Sequence, residues 1–268
     1  MNVVDTHIHL FVRGLPLAPV RRYVPDYDAT TEDYMKQMSL HGITHAVIVQ
    51  PSFLGTDNSF MCQVLRAHPR IFRGIAVVDP TITEGELDKL EADGVVGIRL
   101  NLDGLPIPQL GAEPWRGLLQ SLAGRQWQVE VHRDAGDLPL ILDPLIDAGV
   151  NVVVDHFGRP ATALGAEDPG FRYLLSMAAS GKVWVKLAAP YRNDADSAPS
   201  LAAELLEGFG PERLVWGSDW PHTRHESSVS IQKMKEALQR CVPEEADRNR
   251  ILGETAFELF QFDRGASQ

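Results

Sequence analysis

The sequence predicts a (β/α)8 barrel, and three observations lead to this fold class. Eight short apolar runs rich in β-branched residues recur along the 268-residue chain. Several of them, such as HAVIVQ and NVVVDH, are apolar without alternation, which is typical of parallel strands covered on both faces. Helical patterns separate the runs, so that each β-α unit takes roughly 30 residues, enough for a parallel crossover.

Eight strands are therefore expected in chain order. They are Val3–His9, Thr44–Gln50, Phe72–Val78, Val95–Leu100, Trp127–His132, Asn151–His156, Val183–Leu187 and Arg213–Asp219. In a barrel these strands run parallel, and their carboxyl ends meet at one face. A doubly wound open sheet is the alternative fold, but neither a G-x-G-x-x-G nor a Walker motif supports it.

The segments between the strands have helical patterns. TTEDYMKQMSLHG and EGELDKLEADG each end in a glycine suited to the position after a helix. In WRGLLQSLAG the apolar residues spaced i, i+3, i+4 and i+7 share one helical face; they are Trp115, Leu118, Leu119 and Leu122. No linker interrupts this pattern, so we expect a single domain over residues 1–268.

Two long loops follow predicted strands. Val12–Ala29 comes after the first strand, and AAPYRNDADSAPS comes after the seventh. Loops at the carboxyl ends of the strands build the functional site of a barrel, so we expect both loops to lie beside it.

Charge and composition exclude several classes of function. The formal net charge is −11, with 44% hydrophobic and 23% charged residues. Such a chain is unsuited to nucleic acid and has no attraction to anionic membranes, although it can hold a basic pocket for an anionic substrate. There is no membrane-length apolar run and the first strand begins at once, so we expect no signal peptide and a cytoplasmic location. Cys62 and Cys241 are interpreted as packing residues of a reduced protein.

The stretch VVDTHIHLF brings two histidines to the end of the first strand. Because side chains alternate along a strand, His7 and His9 point to the same side. Polar residues also follow other strands; they are Gln50, Ser52, Arg99, Asn101, His132, His156, Arg159, Lys186, Arg192, Asp219 and His222. In a barrel these ends converge on one pocket, and packing alone does not account for so many ionisable groups there.

Three further residues have less direct interpretations. Lys186 lies inside the seventh strand, and we expect it to pair with a neighbouring carboxylate. His222 and His225 follow the eighth strand and are secondary candidates for the lining of the pocket.

The motifs DTHIH, DHFGRP and WGSDWPH resemble the amidohydrolase superfamily. VQPSFLGTDN, GIRLNL and the same WGSDWPH resemble, more narrowly, the branch that contains 2-pyrone-4,6-dicarboxylate lactonase. The resemblance extends from about Val3 to about Phe262, and it implies a distorted (β/α)8 TIM barrel.

The resemblance implies a hydrolase that opens the lactone of an organic acid, in aromatic or sugar-acid catabolism. Asp219 would be the general base for water, and His7, His9 and His156 would surround the scissile carbonyl. The implied substrate contacts are Arg99, Arg192, Tyr23, Ser52, His132 and Arg159. The substrate would be a small anionic lactone, and no cofactor would be required.

Two departures from that branch leave alternatives open. Leu105 stands where the dicarboxylate lactonase has a second basic residue, and His132 stands where it has a tyrosine. With His132 in place, a single zinc ion would have His7, His9, His132 and Asp219 as its ligands. The alternatives are therefore a zinc-dependent amidohydrolase or decarboxylase, a lactone isomerase and a non-catalytic binding protein. The sequence leaves the oligomeric state open.

Overall fold

A computed structural model of the chain describes residues 2–192 and 195–262, and within them eight parallel strands pair in chain order. The strands are β1 (Val4–Ile8), β2 (His45–Val49), β3 (Phe72–Ala76), β4 (Val95–Asn101), β5 (Gln128–His132), β6 (Asn151–Val154), β7 (Val183–Ala188) and β8 (Leu214–Gly217). The predicted barrel and each predicted strand are confirmed, with strand ends that differ by one or two residues. Residues 193–194, in the predicted loop after β7, and 263–268 lie outside the described part.

Helices connect the strands and cover the outside of the barrel. They are α1 (Thr31–His41), α2 (Ser59–Ala67), α3 (Glu84–Asp93), α4 (Trp115–Gly124), α5 (Leu138–Asp147), α6 (Pro169–Ser176), α7 (Ala198–Phe209), α8 (Ile231–Cys241), α9 (Glu245–Leu252) and α10 (Glu254–Leu259). The predicted end of α1 at Gly42 is confirmed, since Gly42 follows the last helical residue and adopts the left-handed conformation at φ 65°. Across the described residues, no helix is long and apolar enough to cross a membrane.

The barrel interior has an apolar layer and, nearer the carboxyl ends of the strands, a charged layer. The apolar layer consists of residues such as Val47, Ile75 and Val215, packed against Phe260. β5 and β7 instead contribute Glu130 and Lys186, which are fully buried and paired at 2.7 Å. This buried ion pair lies on the same strands as the residues that reach the carboxyl-end face.

The barrel closes where β1 approaches β8. The His9 N–H donates to the Trp220 carbonyl at 2.8 Å, and the Asp219 N–H donates to the His7 carbonyl at 2.9 Å. The Asp5 carboxylate accepts from the Ser218 N–H at 2.8 Å. These bonds bring the two histidines of β1 beside the aspartate that follows β8.

Gly217 permits this close approach. A Cβ atom at Gly217 would lie 2.5 Å from the His7 Cβ and 2.9 Å from the His7 backbone nitrogen. Both neighbours belong to or adjoin the backbone of β1, so neither can rotate away.

We expect Gly217→Ala to lower the free energy of unfolding by about 1–3 kcal/mol, because the added methyl forces β1 from β8. Urea unfolding measures the change. Gly111→Ala is the matched control, since a Cβ at Gly111 would have no atom within 4 Å. Equal stabilities of the two variants would contradict the role assigned to the close approach.

Candidate active site

A pocket of about 250 Å³ opens at the carboxyl ends of the strands. Its lining includes nine of the predicted site residues, namely His9, Tyr23, Ser52, Arg99, His132, His156, Arg159, Arg192 and Asp219. His7, the tenth, is fully buried beneath the pocket floor. His225 also lines the pocket, whereas His222 is buried outside the lining.

The pocket is rich in positive charge although the protein is acidic. Five guanidinium groups line it, those of Arg22, Arg99, Arg159, Arg192 and Arg224. Only two carboxylates lie in the same lining, Asp103 and Asp219. The net charge of the wall therefore favours an anionic ligand.

The backbone after β6, β7 and β8 is strained where it delivers the site residues. His156, Ala189, Asp219 and His222 have φ values of 53°, 50°, 60° and 63°. Each of these left-handed conformations costs a residue other than glycine about 1–3 kcal/mol of conformational free energy. They turn the chain sharply at the strand ends, and they carry His156 and Asp219 to the pocket.

The two oxygens of Asp219 have different surroundings. Oδ2 accepts hydrogen bonds from Arg192 Nε and from the Tyr191 hydroxyl, both at 2.6 Å. Oδ1 lies 3.5 Å from His9 Nε2 and 3.6 Å from His7 Nε2. Burial alone would raise the pKa of Asp219, but the Arg192 guanidinium holds it well below its usual value. Asp219 is therefore a carboxylate at neutral pH, and its Oδ1 faces the two histidines.

Backbone carbonyls fix the orientation of two histidine rings. His9 Nδ1 lies 2.7 Å from the Val49 carbonyl, and His156 Nδ1 lies 3.3 Å from the Ala188 carbonyl. A carbonyl only accepts, so each neutral ring carries its proton on Nδ1. Burial lowers the pKa of His156 to about 4, so this ring is neutral at pH 7.

A layer of buried charges supports the floor of the pocket. Lys186 Nζ lies 2.7 Å from Glu130 Oε1, 3.3 Å from Asp155 Oδ1 and 3.1 Å from His7 Nδ1. The predicted pairing of Lys186 with a carboxylate is thereby confirmed. Arg99 Nη2 lies 2.9 Å from Asp155 Oδ2, so this predicted substrate contact already has a partner in the protein.

Burial and neighbouring charges act together on the pKa values of this layer. Burial raises the pKa of Glu130 to about 7 in spite of the Lys186 ammonium. Burial would also raise the pKa of Asp155, but Lys186 and Arg99 hold it well below its usual value. Burial and the same ammonium lower the pKa of His7, so its ring is neutral. The layer thus contains Asp155 as a fixed carboxylate next to a neutral imidazole.

His132 does not lie with the other three predicted zinc ligands. Its Nδ1 lies 3.1 Å from Asn101 Oδ1, and its Nε2 lies 2.9 Å from Arg159 Nη1. The guanidinium donates to Nε2, so neither nitrogen of this ring is directed at Asp219. A histidine at the end of β5 therefore holds Arg159, and only three members of the predicted set come together.

The spacing of those three residues matches that of the ligands of a divalent ion. His7 Nε2, His9 Nε2 and Asp219 Oδ1 all lie within 4.8 Å of one another, and the two nitrogens are 3.6 and 3.5 Å from the oxygen. Ligands about 2.1 Å from a tetrahedral zinc are about 3.4 Å apart, close to these values. The buried His7 Nε2 has no hydrogen-bond partner among the described residues.

Contacts between the loops after β1 and β4 narrow the mouth of the pocket. Arg22, from the predicted loop Val12–Ala29, forms an ion pair with Asp103. Asp103 also lies 3.7 Å from Arg159. Leu105, at the position of the missing basic residue, is 45% exposed and is not in the lining. Arg22 thus supplies a second positive group at this end of the pocket from a different loop.

The sequence analysis missed several residues of the site. They are Arg22, Asp103, Glu130, Asp155, Tyr191 and Arg224. For Glu130 a signal existed, because it precedes His132 by two positions in β5 and so shares its face. For Arg22 and Asp103 there was none, since their contact depends on loop geometry.

Comparison with known proteins gives consistent relatives. A profile of the protein family described as "Amidohydrolase" matches residues 4–262. The chain is 31% identical to a 4-sulfomuconolactone hydrolase of Rhizobium radiobacter, over 96% of this chain and 89% of the relative. It is 32% identical to a 2-pyrone-4,6-dicarboxylate hydrolase of Comamonas testosteroni, over 82% and 77%. It is 27% identical to a D-galactarolactone isomerase of Agrobacterium fabrum, over 97% and 91%.

Solved structures agree with the fold. A structure from Acinetobacter baumannii, described as a probable 2-pyrone-4,6-dicarboxylic acid hydrolase with citric acid bound, has a TM-score of 0.94 and 37% identity. The match covers 97% of this chain and all of that one. The match supports the barrel along nearly its whole length, and the citric acid in that structure is a tricarboxylic acid.

We expect the pKa of Asp219 to rise in Arg192→Met, because burial then acts without the guanidinium that opposes it. A ¹³C NMR titration of the aspartate carboxyl groups measures the change, with the Asp219→Asn spectrum used for assignment. Arg224→Met is the control, since it removes another guanidinium of the pocket wall. An unchanged pKa in Arg192→Met would show that Arg192 does not set the charge of Asp219.

Proposed function

The chain belongs to the amidohydrolase family, and from that premise we propose that it is a lactone hydrolase acting on small anionic organic-acid lactones in the cytoplasm. The observation that carries this proposal is a carboxylate held ionised at the floor of a pocket lined by five guanidinium groups. Ester hydrolysis at a cyclic substrate requires a base for water, a binding site for the acid and stabilisation of the oxyanion.

Asp219 is the proposed base. Oδ1 takes a proton from a water molecule while the water oxygen bonds to the lactone carbonyl carbon. Arg192 and Tyr191 hold Oδ2, so the carboxylate keeps one orientation during the attack. The lone pair of His9 Nε2, 3.5 Å from Oδ1, accepts the second hydrogen of the same water and so helps to position it.

Collapse of the tetrahedral intermediate breaks the bond between the carbonyl carbon and the ring oxygen. The leaving ring oxygen takes back the proton from Asp219, and the product is a hydroxy acid. Its new carboxyl group releases one proton to the solvent at neutral pH. The guanidinium groups of the wall stabilise the negative charge that develops on the carbonyl oxygen.

The acid group of the substrate is the proposed partner of the arginines. Arg99 and Arg159 lie at the side of the pocket formed by β4, β5 and β6, with Ser52 and Tyr23 in the same lining. Guanidinium groups bind carboxylates with two parallel hydrogen bonds, which fixes the orientation of a planar acid.

His7, His9 and Asp219 would hold a divalent ion if the enzyme uses one. Such an ion lowers the pKa of water and polarises a carbonyl. We propose that the chain's own residues suffice for the reaction.

A lactone isomerase is the second candidate, favoured by the similarity to the D-galactarolactone isomerase. In that reaction Asp219 would accept the proton of a substrate hydroxyl in place of a water proton. The two reactions differ in the fate of solvent oxygen, because only hydrolysis incorporates it.

The first experiment is a panel of acidic and neutral lactones offered to chelator-treated protein in H₂¹⁸O. We expect one ¹⁸O atom in the product of an acidic lactone and release of one proton per turnover. Turnover without ¹⁸O would identify an isomerase, and turnover only after zinc addition would overturn the metal-independent proposal. No turnover with or without zinc on any lactone of the panel would count against the proposed substrate class.

We expect Asp219→Asn to lower kcat by about 10³-fold, because the amide cannot accept the proton of water. Citrate affinity, measured by calorimetry, should stay within a few-fold of the wild type. Near-normal turnover in this variant would exclude Asp219 as the base.

We expect Arg99→Met to raise KM for an anionic lactone by about 10- to 100-fold, the value of a lost charge-assisted hydrogen bond. A neutral lactone with the same ring is the control, and its KM should change little. A similar increase for both substrates would assign Arg99 to the support of Asp155 alone.

A further inference from the structure

Lys186 is the buried cation directly in contact with His7. Besides its carboxylate partners, Lys186 Nζ forms a hydrogen bond with His7 Nδ1 at 3.1 Å. Lys186, His7 and Glu130 are all fully buried, so water does not compete for this contact.

The direction of this hydrogen bond follows from donors and acceptors. An ammonium group has three N–H donors and no lone pair, and three acceptors lie around Nζ: Glu130 Oε1, Asp155 Oδ1 and His7 Nδ1. His7 Nδ1 also lies 3.5 Å from Asp155 Oδ1, but the ammonium is nearer, at 3.1 Å, so His7 Nδ1 is the nitrogen with the lone pair. A ring whose Nδ1 accepts a hydrogen bond carries its proton on the other nitrogen, Nε2, which lies 3.6 Å from the acceptor Asp219 Oδ1.

We propose that Lys186 fixes His7 as the Nε2–H tautomer, so that His7 is a hydrogen-bond donor at the pocket floor and a poor metal ligand. The carbonyl of Val49 holds His9 in the opposite tautomer, with its lone pair on Nε2. The two nitrogens nearest Asp219 Oδ1 therefore differ in character, one a donor and one an acceptor. Lys186 is a positioning residue, since it acts through His7.

This pair of opposite tautomers has two consequences. One water beside Asp219 Oδ1 receives a hydrogen bond from His7 and donates one to His9, which orients its oxygen and its hydrogens together. A divalent ion, by contrast, needs lone pairs on both Nε2 atoms. The ion therefore binds only after the His7 proton has been moved from Nε2 and the contact with Lys186 has been given up.

The tautomers are measured first, in the wild-type protein labelled with ¹⁵N at histidine. The expected spectrum has the proton of His7 on Nε2 and the proton of His9 on Nδ1, with the His7→Gln spectrum used for assignment. A proton on His7 Nδ1 would overturn the proposal. This measurement needs no substrate, so its outcome is independent of the proposed lactone hydrolysis.

Zinc affinity is measured second, by competition between the chelator-treated protein and a zinc indicator. Glu130→Gln/Lys186→Met removes one charge of each sign, so the net charge of the buried layer stays the same. We expect this variant to bind zinc about 10- to 100-fold more tightly than the wild type, the usual size of effects from groups around metal ligands. Equal affinities in the folded variant would overturn the proposal.

Lys182→Met is the control for loss of a lysine, because Lys182 is exposed and donates to the Gly149 carbonyl, outside the buried layer. Its zinc affinity should equal that of the wild type. If near-UV circular dichroism shows that the double variant does not fold, the ¹⁵N spectrum of the wild type decides the proposal alone.

Discussion

The close approach of β1 to β8 is the constraint on which the site depends. Gly217 lets the two strands come together beside His7, and the resulting backbone hydrogen bonds hold Asp219 opposite the two histidines. The Asp219 carboxylate and the two imidazoles therefore come from opposite ends of the chain and are joined by the closure of the barrel. Any change that loosens the closure moves these groups apart at once, because no other strand carries either of them.

A second constraint is the balance of charge in the barrel interior. Glu130 and Asp155 are buried beside Lys186 and Arg99, and each carboxylate has a cation within 3 Å. Burial of either pair is costly unless both partners are present, so the layer acts as one unit. Through Lys186 it contacts His7, and through Asp155 it holds Arg99 in the pocket wall.

The sequence predicted the barrel because the signal is local. Each strand is an apolar run with helical segments on both sides, and Gly42 marks the end of α1 within one residue of its predicted place. The convergence of His9, His156 and Asp219 followed from the barrel alone, since strand ends meet at one face. The grouping of side chains around Lys186 did not follow, because it requires the relative rotation of three strands that are far apart in the chain. The separation of His132 from the other three candidate zinc ligands did not follow either, because a histidine at a strand end is directed by its hydrogen-bond partners, and Arg159 reaches it from a loop.

The ion pair between Arg22 and Asp103 changes what an incoming anion gains by binding. Asp103 already neutralises part of the charge at the mouth of the pocket, and it also lies near Arg159. An acid that takes Arg22 from Asp103 exchanges one carboxylate for another, so the net electrostatic gain is small and weakly sensitive to ionic strength. Selection among acids at this end of the pocket then depends on the length and shape of the ligand. A small inorganic anion gains little binding energy there, whereas a ligand that spans both ends of the pocket gains binding energy from every contact.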